Sequence, residues 1–429
     1  MVALPPTQLQ QAPASAHIAA PDYFHRQASS CGPPASTATL LFHLDLSTSS
    51  ATVSSPTAAH APMSNDPNFP KGLAIAPSRA AHGPGALVDD GLCVEDDAAQ
   101  DVERFGIAGR TWEAAYLLRS YLALSTSTSR TSSSTPPLIF DPPCPLLSDP
   151  PSPPDRPSTR KRKRTILELG AGTGFLSLAV APHLHPSTDR LVVTDLHNVC
   201  PLLSENLVAA RARWTARGVD AAEVLVRPLP WGDAHALEAL RVDDLMPDLV
   251  LASDLIYFPF LYAPLLRTLL GLTEPRRACG AGDEDVDDER GSPGTSPKVV
   301  FSYKVRSLVK EQPFWEAFGR WFDFEPVQLG SHPPPSAGED DSPTGTSSSP
   351  APPTTTWTRF GAADPSSTSP GTTDELYVFV CSRWPGTFGF DGSGVSDAEL
   401  LEGRGERARG VEAGATRFEE MLLAATEWD

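Results

Sequence analysis

The feature that most constrains this chain is Glu168-Leu169-Gly170-Ala171-Gly172-Thr173-Gly174, which follows an apolar run at 165–169 (TILEL) and opens a stretch of helical spacing over about 174–183. Glycine tolerates backbone angles closed to other residues and lets the main chain approach a ligand closely. The first N–H groups of a helix have no intrahelical partner and suit an anionic group. A dinucleotide fingerprint, GxGxxG, would place its third glycine at 175, where Phe175 stands. The spacing here is GxGxG, with an acid two residues before the first glycine.

The same texture repeats downstream. Residues 191–195 (LVVTD), 224–228, 248–253 (DLVLAS) and 298–303 (KVVFSY) read as strands, and Leu203, Leu207, Ala210 and Trp214 mark one face of an intervening helix. Strands alternating with helices predict a doubly wound, mostly parallel α/β sheet. Residues 324–329 and 375–382 (ELYVFVCS) complete a set of seven strands with no helix between the last two, so the sheet should end in a hairpin with one antiparallel strand. Before the glycine turn, Trp112, Ala115, Tyr116, Tyr121 and Leu122 predict a helix over 112–124.

Composition sets the boundaries of this domain. The 429 residues include 45 prolines and 31 glycines, too much punctuation for a chain folded throughout. Residues 1–88 read as a disordered arm and 89–384 as the α/β domain, with low-complexity, disordered insertions at about 125–163, 276–297 and 331–373. Residues 385–429 read as an acidic C-terminal tail. The net charge of −19 concentrates in 1–100, 278–290, 331–372 and 385–429, and the remainder balances. That pattern describes solvated acidic arms on a neutral core and disfavours broad binding to nucleic acid or to an anionic membrane. The apolar stretch 249–272 contains Asp254, Pro259, Pro264 and Arg267, so it should not span a membrane. The six cysteines form no CxxC pair, which implies no metal centre and reduced thiols in an intracellular protein. Arg160-Lys161-Arg162-Lys163-Arg164 resembles a nuclear localisation or phosphate-binding patch, the simpler reading being a solvated loop end.

Four positions cluster at strand ends, where ligands bind in open α/β sheets. Asp195 closes the second strand, where a carboxylate accepts hydrogen bonds from a ribose diol; a helix N-cap is the alternative. Trp231, in Pro230-Trp231-Gly232-Asp233 after the third strand, suits a wall against an adenine ring or a place in the core. Ser253, Asp254 and Tyr257, in Ala252-Ser253-Asp254-Leu255-Ile256-Tyr257, end the fourth strand, with an N-cap for Asp254 and a core position for Tyr257 as alternatives. Lys304 and Arg306, after the fifth strand, suit contact with an acidic substrate surface, the simpler reading being a solvated turn.

Taken together, GRTWEAAYLLRSYL, ILELGAGTGFLSL, VVTDL, LPWGD, DLVLASDLIY and VVFSYKVR, spanning about 109–306, resemble class I S-adenosylmethionine-dependent methyltransferases. Within these, the chain is similar to methyltransferase family 16, the non-histone protein-lysine methyltransferases. The resemblance implies a Rossmann-like fold and S-adenosyl-L-methionine as cofactor. It implies that Trp112 packs near the cofactor, that Gly170, Ala171 and Gly172 line its methionine moiety, that Asp195 holds the ribose, that Trp231 walls the adenine and that Ser253 lines the pocket. Asp254 and Tyr257 are then the acceptor-side, catalytic pair. The implied partner is a protein presenting a lysine side chain, with a translation elongation factor as one candidate, and no nucleic acid or membrane. The implied state is a monomer in the cytoplasm, the nucleus being left open. The competing readings are a methyltransferase for a small molecule or another residue type, a nicotinamide-dependent oxidoreductase, and a non-catalytic cofactor-binding scaffold.

Overall fold

The computed structural model describes residues 99–127, 139–146, 162–275, 296–331, 355–362, 376–405, 408 and 410–425. The N-terminal arm expected over 1–88, and most of each expected insertion, lie outside the described residues. In chain order the strands are β1 (Ile139–Asp141), β2 (Arg164–Leu169), β3 (Asp189–Asp195), β4 (Glu223–Pro228), β5 (Leu249–Ser253), β6 (Lys298–Lys304), β7 (Phe322–Pro326), β8 (Gln328–Ser331), β9 (Thr356–Arg359) and β10 (Leu376–Arg383). The helices are α1 (Ala99–Phe105), α2 (Glu113–Ser127), α3 (Phe175–Val180), α4 (Cys200–Ala216), α5 (Ala234–Val242), α6 (Tyr262–Leu272), α7 (Leu308–Trp321), α8 (Asp397–Glu402) and α9 (Arg417–Ala425).

The expected doubly wound sheet is present, with strand order β4-β3-β2-β5-β6-β10-β7. Strands β2 to β6 pair in parallel. The closing hairpin inserts β10 between β6 and β7, antiparallel to both. Side chains on a strand alternate between faces, and the buried strand residues divide accordingly. Leu167, Val250, Phe301 and Phe379 pack on the side of α5, α6 and α7, while Ile166, Leu251, Val300 and Val378 pack on the side of α2, α3 and α4. Each such Leu, Val or Phe contributes about 1.5–3 kcal/mol relative to exposure.

Away from the cavity, the structure departs from the sequence reading at three places. First, the strand expected over 324–329 is broken. Pro326 ends β7, buried Val327 donates its N–H to the Val378 carbonyl at 2.8 Å, and the chain leaves as β8 for a second sheet, β1-β8-β9. Strands β1 and β9 come from the stretches 125–163 and 331–373, expected as disordered insertions. Their Ser, Thr and Pro content hides two short segments that dock through Phe140, which meets Tyr121 and Phe360 edge-on at 5.1 and 5.5 Å between centroids.

Second, residues 385–425 are not a solvated tail. Phe418 of α9 is buried and stacks on Trp315 of α7 at 4.7 Å, and Trp321 donates its Nε1–H to the Leu400 carbonyl at 3.2 Å. Gly319 of α7 and Gly414 face each other so closely that a Cβ on either would collide with the other's carbonyl. Among the described residues of this segment, Asp397, Glu399, Glu412 and Glu419 are exposed, while Leu400, Ala408 and Phe418 are buried. A high acid count and a packed face therefore coexist in one amphipathic segment.

Third, the basic run is structural where it is described. Arg162 pairs with Asp248, Lys163 with Glu223 and Arg164 with Asp189, all at the amino ends of strands. Arg160 and Lys161 lie outside the described residues. Among the described residues no helix is long and apolar enough to cross a membrane, and the stretch 249–272 is divided into β5, a turn and α6.

Candidate active site

All nine residues singled out from the sequence line one cavity of about 660 Å³ over the carboxyl ends of β2 to β5: Trp112, Gly170, Ala171, Gly172, Asp195, Trp231, Ser253, Asp254 and Tyr257. The glycine turn makes its floor. Gly172 sits at φ +54°, in the left-handed region, and a Cβ there would stand 2.8 Å from the carbonyl oxygen of Ala108. Only glycine therefore lets this turn pass under the 106–109 turn. Gly172→Ala should cost about 1–2 kcal/mol in backbone strain alone. Urea unfolding of the variant checks this, and unchanged stability would mean that the turn can shift without strain.

Asp195, at the end of β3, accepts hydrogen bonds from the Gly172 amide (2.7 Å, Oδ2) and from the Leu196 amide (2.7 Å, Oδ1). It does not cap α4, whose N-cap position is Val199. Trp231 follows β4, and its ring edge lies 3.0 Å from where a Gly170 Cβ would stand. The Gly232 amide donates to Thr268 Oγ1 at 2.7 Å, and Asp233 caps α5 through the His235 and Ala236 amides, which together hold the Trp231 turn.

Glu168, the acid before the glycines, is buried and accepts the Ser177 amide at 3.0 Å. Burial raises its pKa to about 7, against the opposing hydrogen bonding from Ser177 and with a further push from the Asp195 charge. A carboxyl raised from 4.5 favours folding most below that value, and its contribution is lost as pH rises through about 7. Glu168→Gln should therefore stabilise the protein at pH 8 by roughly 2–4 kcal/mol and leave stability at pH 4.5 nearly unchanged. Urea unfolding at both pH values measures the difference.

Asp254, after β5, is buried, sits at φ +60° and donates its amide to the Ser302 carbonyl at 2.9 Å. A non-glycine residue held there costs of order 1–3 kcal/mol and marks a position the surroundings impose. It does not cap the turn before α6, whose N-cap position is Phe258. Its carboxylate is gripped by Arg306, with Nη1–Oδ1 at 2.7 Å and Nη2–Oδ2 at 2.5 Å. Ser253 Oγ accepts from Ser302 Oγ at 3.2 Å, and the Tyr257 ring lies 6.2 Å from that of Trp231.

Arg306 corrects the expectation of a solvated turn: it lines the cavity. Its guanidinium lies 5.3 Å from the Trp112 ring, on which Arg110 also stacks at 4.3 Å, and Glu113 faces both arginines at 2.8 Å from Arg110 and 3.8 Å from Arg306. The Arg306 loop is pinned by buried Glu311, whose Oε2 accepts the amides of Arg306 (3.1 Å) and Ser307 (3.0 Å) and the Tyr303 hydroxyl. Position in the segment VVFSYKVR was the only sequence signal for Arg306, and nothing in the spacing singled out Arg110, Glu113 or Glu311.

The cavity suits an adenosyl cofactor. Its volume falls in the usual range of roughly 300–1,000 Å³ for small-molecule sites, its glycine floor would be filled by any Cβ, and Asp195 stands at the strand end beside it. This turn, this acid and this cavity sit together at the carboxyl edge of an open doubly wound sheet. Residues 94–281 match the family model described as lysine methyltransferase. It is 33% identical over 121 residues to the protein-lysine N-methyltransferase EFM6 of Saccharomyces cerevisiae, covering 26% of this chain and 46% of that protein. It is 29% identical over 164 residues to the human protein-lysine N-methyltransferase EEF2KMT, covering 37% of this chain and 43% of that protein. The chain thus spans less than half the length of these curated relatives. Among solved structures it is similar to a precorrin-6y C5,15-methyltransferase from Geobacter metallireducens, with 11% identity, a TM-score of 0.26, and 61% of this chain and 87% of that chain covered.

Proposed function

We propose that this protein is an S-adenosylmethionine-dependent protein-lysine N-methyltransferase acting on a non-histone protein, with a translation elongation factor as the first substrate to test. The observation that carries this reading is one cavity that joins the glycine turn and Asp195 at one end to Asp254, Tyr257 and Arg306 at the other. When bound, S-adenosylmethionine supplies a methyl group on a positively charged sulfur, transferred by in-line displacement. The chain's own residues then have two tasks, to orient the partners and to exclude water.

In this reading the glycine turn and Asp195 hold the methionine and ribose portions, Trp112 and Ser253 line the pocket, and Trp231 covers the adenine. Tyr257 packs against the aliphatic stem of the incoming lysine, and Asp254 accepts a hydrogen bond from its amine. A lysine with the ordinary pKa of about 10.4 pays roughly 4–5 kcal/mol to be neutral at pH 7. Desolvation in the cavity and the cationic cofactor both reduce that cost. A monomer working in the cytoplasm on a protein substrate completes the proposal.

The test is transfer of tritiated methyl groups from S-adenosylmethionine into a cell lysate, followed by mass spectrometry of the labelled band. Methyl-lysine in a protein supports the reading; label confined to small molecules, or to another residue type, overturns it. A thermal shift with S-adenosylhomocysteine but not with NADH is expected, because a ligand at about a hundred times its Kd stabilises by about 2.7 kcal/mol. A shift with NADH alone would point to the oxidoreductase reading.

A further inference from the structure

We infer that Arg306 is a positioning residue that cancels the charge of Asp254 and thereby selects the neutral amine form of the acceptor; this rests on the transferase reading above. Three observations carry it. The Asp254 side chain is 1% exposed and its Arg306 partner 31%, so the carboxylate sits inside with the guanidinium toward the cavity. Both carboxylate oxygens are occupied by the two guanidinium nitrogens in a bidentate pair. The Arg306 backbone is fixed through Glu311, so the guanidinium is presented by a built loop rather than by a free end.

The charges that face the cavity around this pair are two of each sign. Arg110 and Arg306 face Glu113 and Asp254, while the third acid, Glu311, is turned behind the loop to the Tyr303 hydroxyl and two backbone amides. An isolated carboxylate at this place would hold a lysine as its ammonium, whose nitrogen has no lone pair with which to attack. With its charge already compensated, Asp254 offers no net attraction to a cation, and an ammonium would also meet the positive cofactor. A neutral amine meets neither penalty and still finds an acceptor position on the carboxylate for one N–H. Its lone pair forms the new N–C bond, the C–S electron pair goes to sulfur, and the extra proton leaves to solvent.

Sinefungin, an S-adenosylmethionine analogue carrying a primary amine in place of the transferable methyl, places an ammonium at the acceptor end and so reads the local charge. The quantity measured is the ratio of sinefungin to S-adenosylhomocysteine affinity at pH 7 by isothermal titration, which cancels general damage to the cofactor pocket. Arg306→Met should raise this ratio at least tenfold over wild type, about 1.4 kcal/mol, and Arg306→Lys should leave it near wild type. An unchanged ratio in Arg306→Met overturns the inference. If Arg306→Met binds neither ligand, Asp254→Asn decides: uncompensated Arg306 should lower the ratio at least tenfold, and an unchanged ratio again overturns it. Failure of the wild-type protein to bind S-adenosylhomocysteine would instead overturn the transferase reading.

Discussion

Removing residues 385–429 is expected to unfold the α/β domain rather than to trim a tail from it. Phe418 and Leu400 are 2% and 0% exposed in the same core cluster as Trp315 and Trp321. Deleting buried side chains of this size costs about 2–5 kcal/mol each, against a total stability of about 5–15 kcal/mol for a typical protein. Truncation also removes Thr387 and Phe390, two partners of Arg383, whose side chain is fully buried. Its guanidinium donates to Thr387 Oγ1 (3.1 Å), the Thr387 carbonyl (2.6 Å), the Phe390 carbonyl, the Leu270 carbonyl (2.8 Å) and Glu274 (2.7 Å). Burial holds the Arg383 pKa below its ordinary value despite Glu274, yet with its partners present the group joins α6, β10 and the C-terminal segment. The point variant Arg383→Met should cost about 3–5 kcal/mol, because it leaves Glu274 and several carbonyls without their donor. Urea unfolding followed by circular dichroism measures both changes. A truncated chain with a cooperative transition within about 1 kcal/mol of full length would mean that the segment merely rests on the domain.

Asp254→Ala is expected to reduce methyl transfer at least about a hundredfold, the scale of a lost positioning contact, while S-adenosylhomocysteine affinity stays within about threefold. The split follows from where the carboxylate sits. It reaches Arg306 and the acceptor end of the cavity, whereas the ribose end is held by Asp195 and the glycine turn on β3 and β2. Alanine at φ +60° adds strain of about 1–2 kcal/mol, and Arg306 is left facing Glu113 at 3.8 Å. Asp254→Asn keeps the size of the side chain and tolerates the left-handed region, so equal transfer loss in both variants would assign the effect to charge rather than to strain. Parallel loss of transfer and cofactor affinity would contradict the acceptor-side role.

The legible parts of this protein are those written within a few residues of chain. The strand-to-helix alternation, the glycine turn, and the placing of Asp195, Trp231, Ser253, Asp254 and Tyr257 at strand ends follow from periods of 2 and 3.6 and from turn chemistry. In an open sheet, every such strand end faces the same crevice. That is why nine residues read from separate motifs line one cavity. The alternatives of N-caps for Asp195 and Asp254 were open in sequence because capping and ligand-facing acids look alike there. The structure separates them by where the helices start.

What the sequence by itself determined is therefore the sheet, its turn and the residues lining the cavity, since local backbone preference and side-chain alternation suffice for these. Only the tertiary structure decided the partners. Arg306 meets Asp254, 52 residues away in sequence, and Glu113, which stands on a helix before the glycine turn. The acidic C-terminal segment, which composition marks as solvated, folds back because one face of it carries Leu400 and Phe418 while its charges face water. Composition averages over both faces of a helix, and an ion pair between distant residues leaves no periodicity. Both are settled by which surfaces the fold brings together.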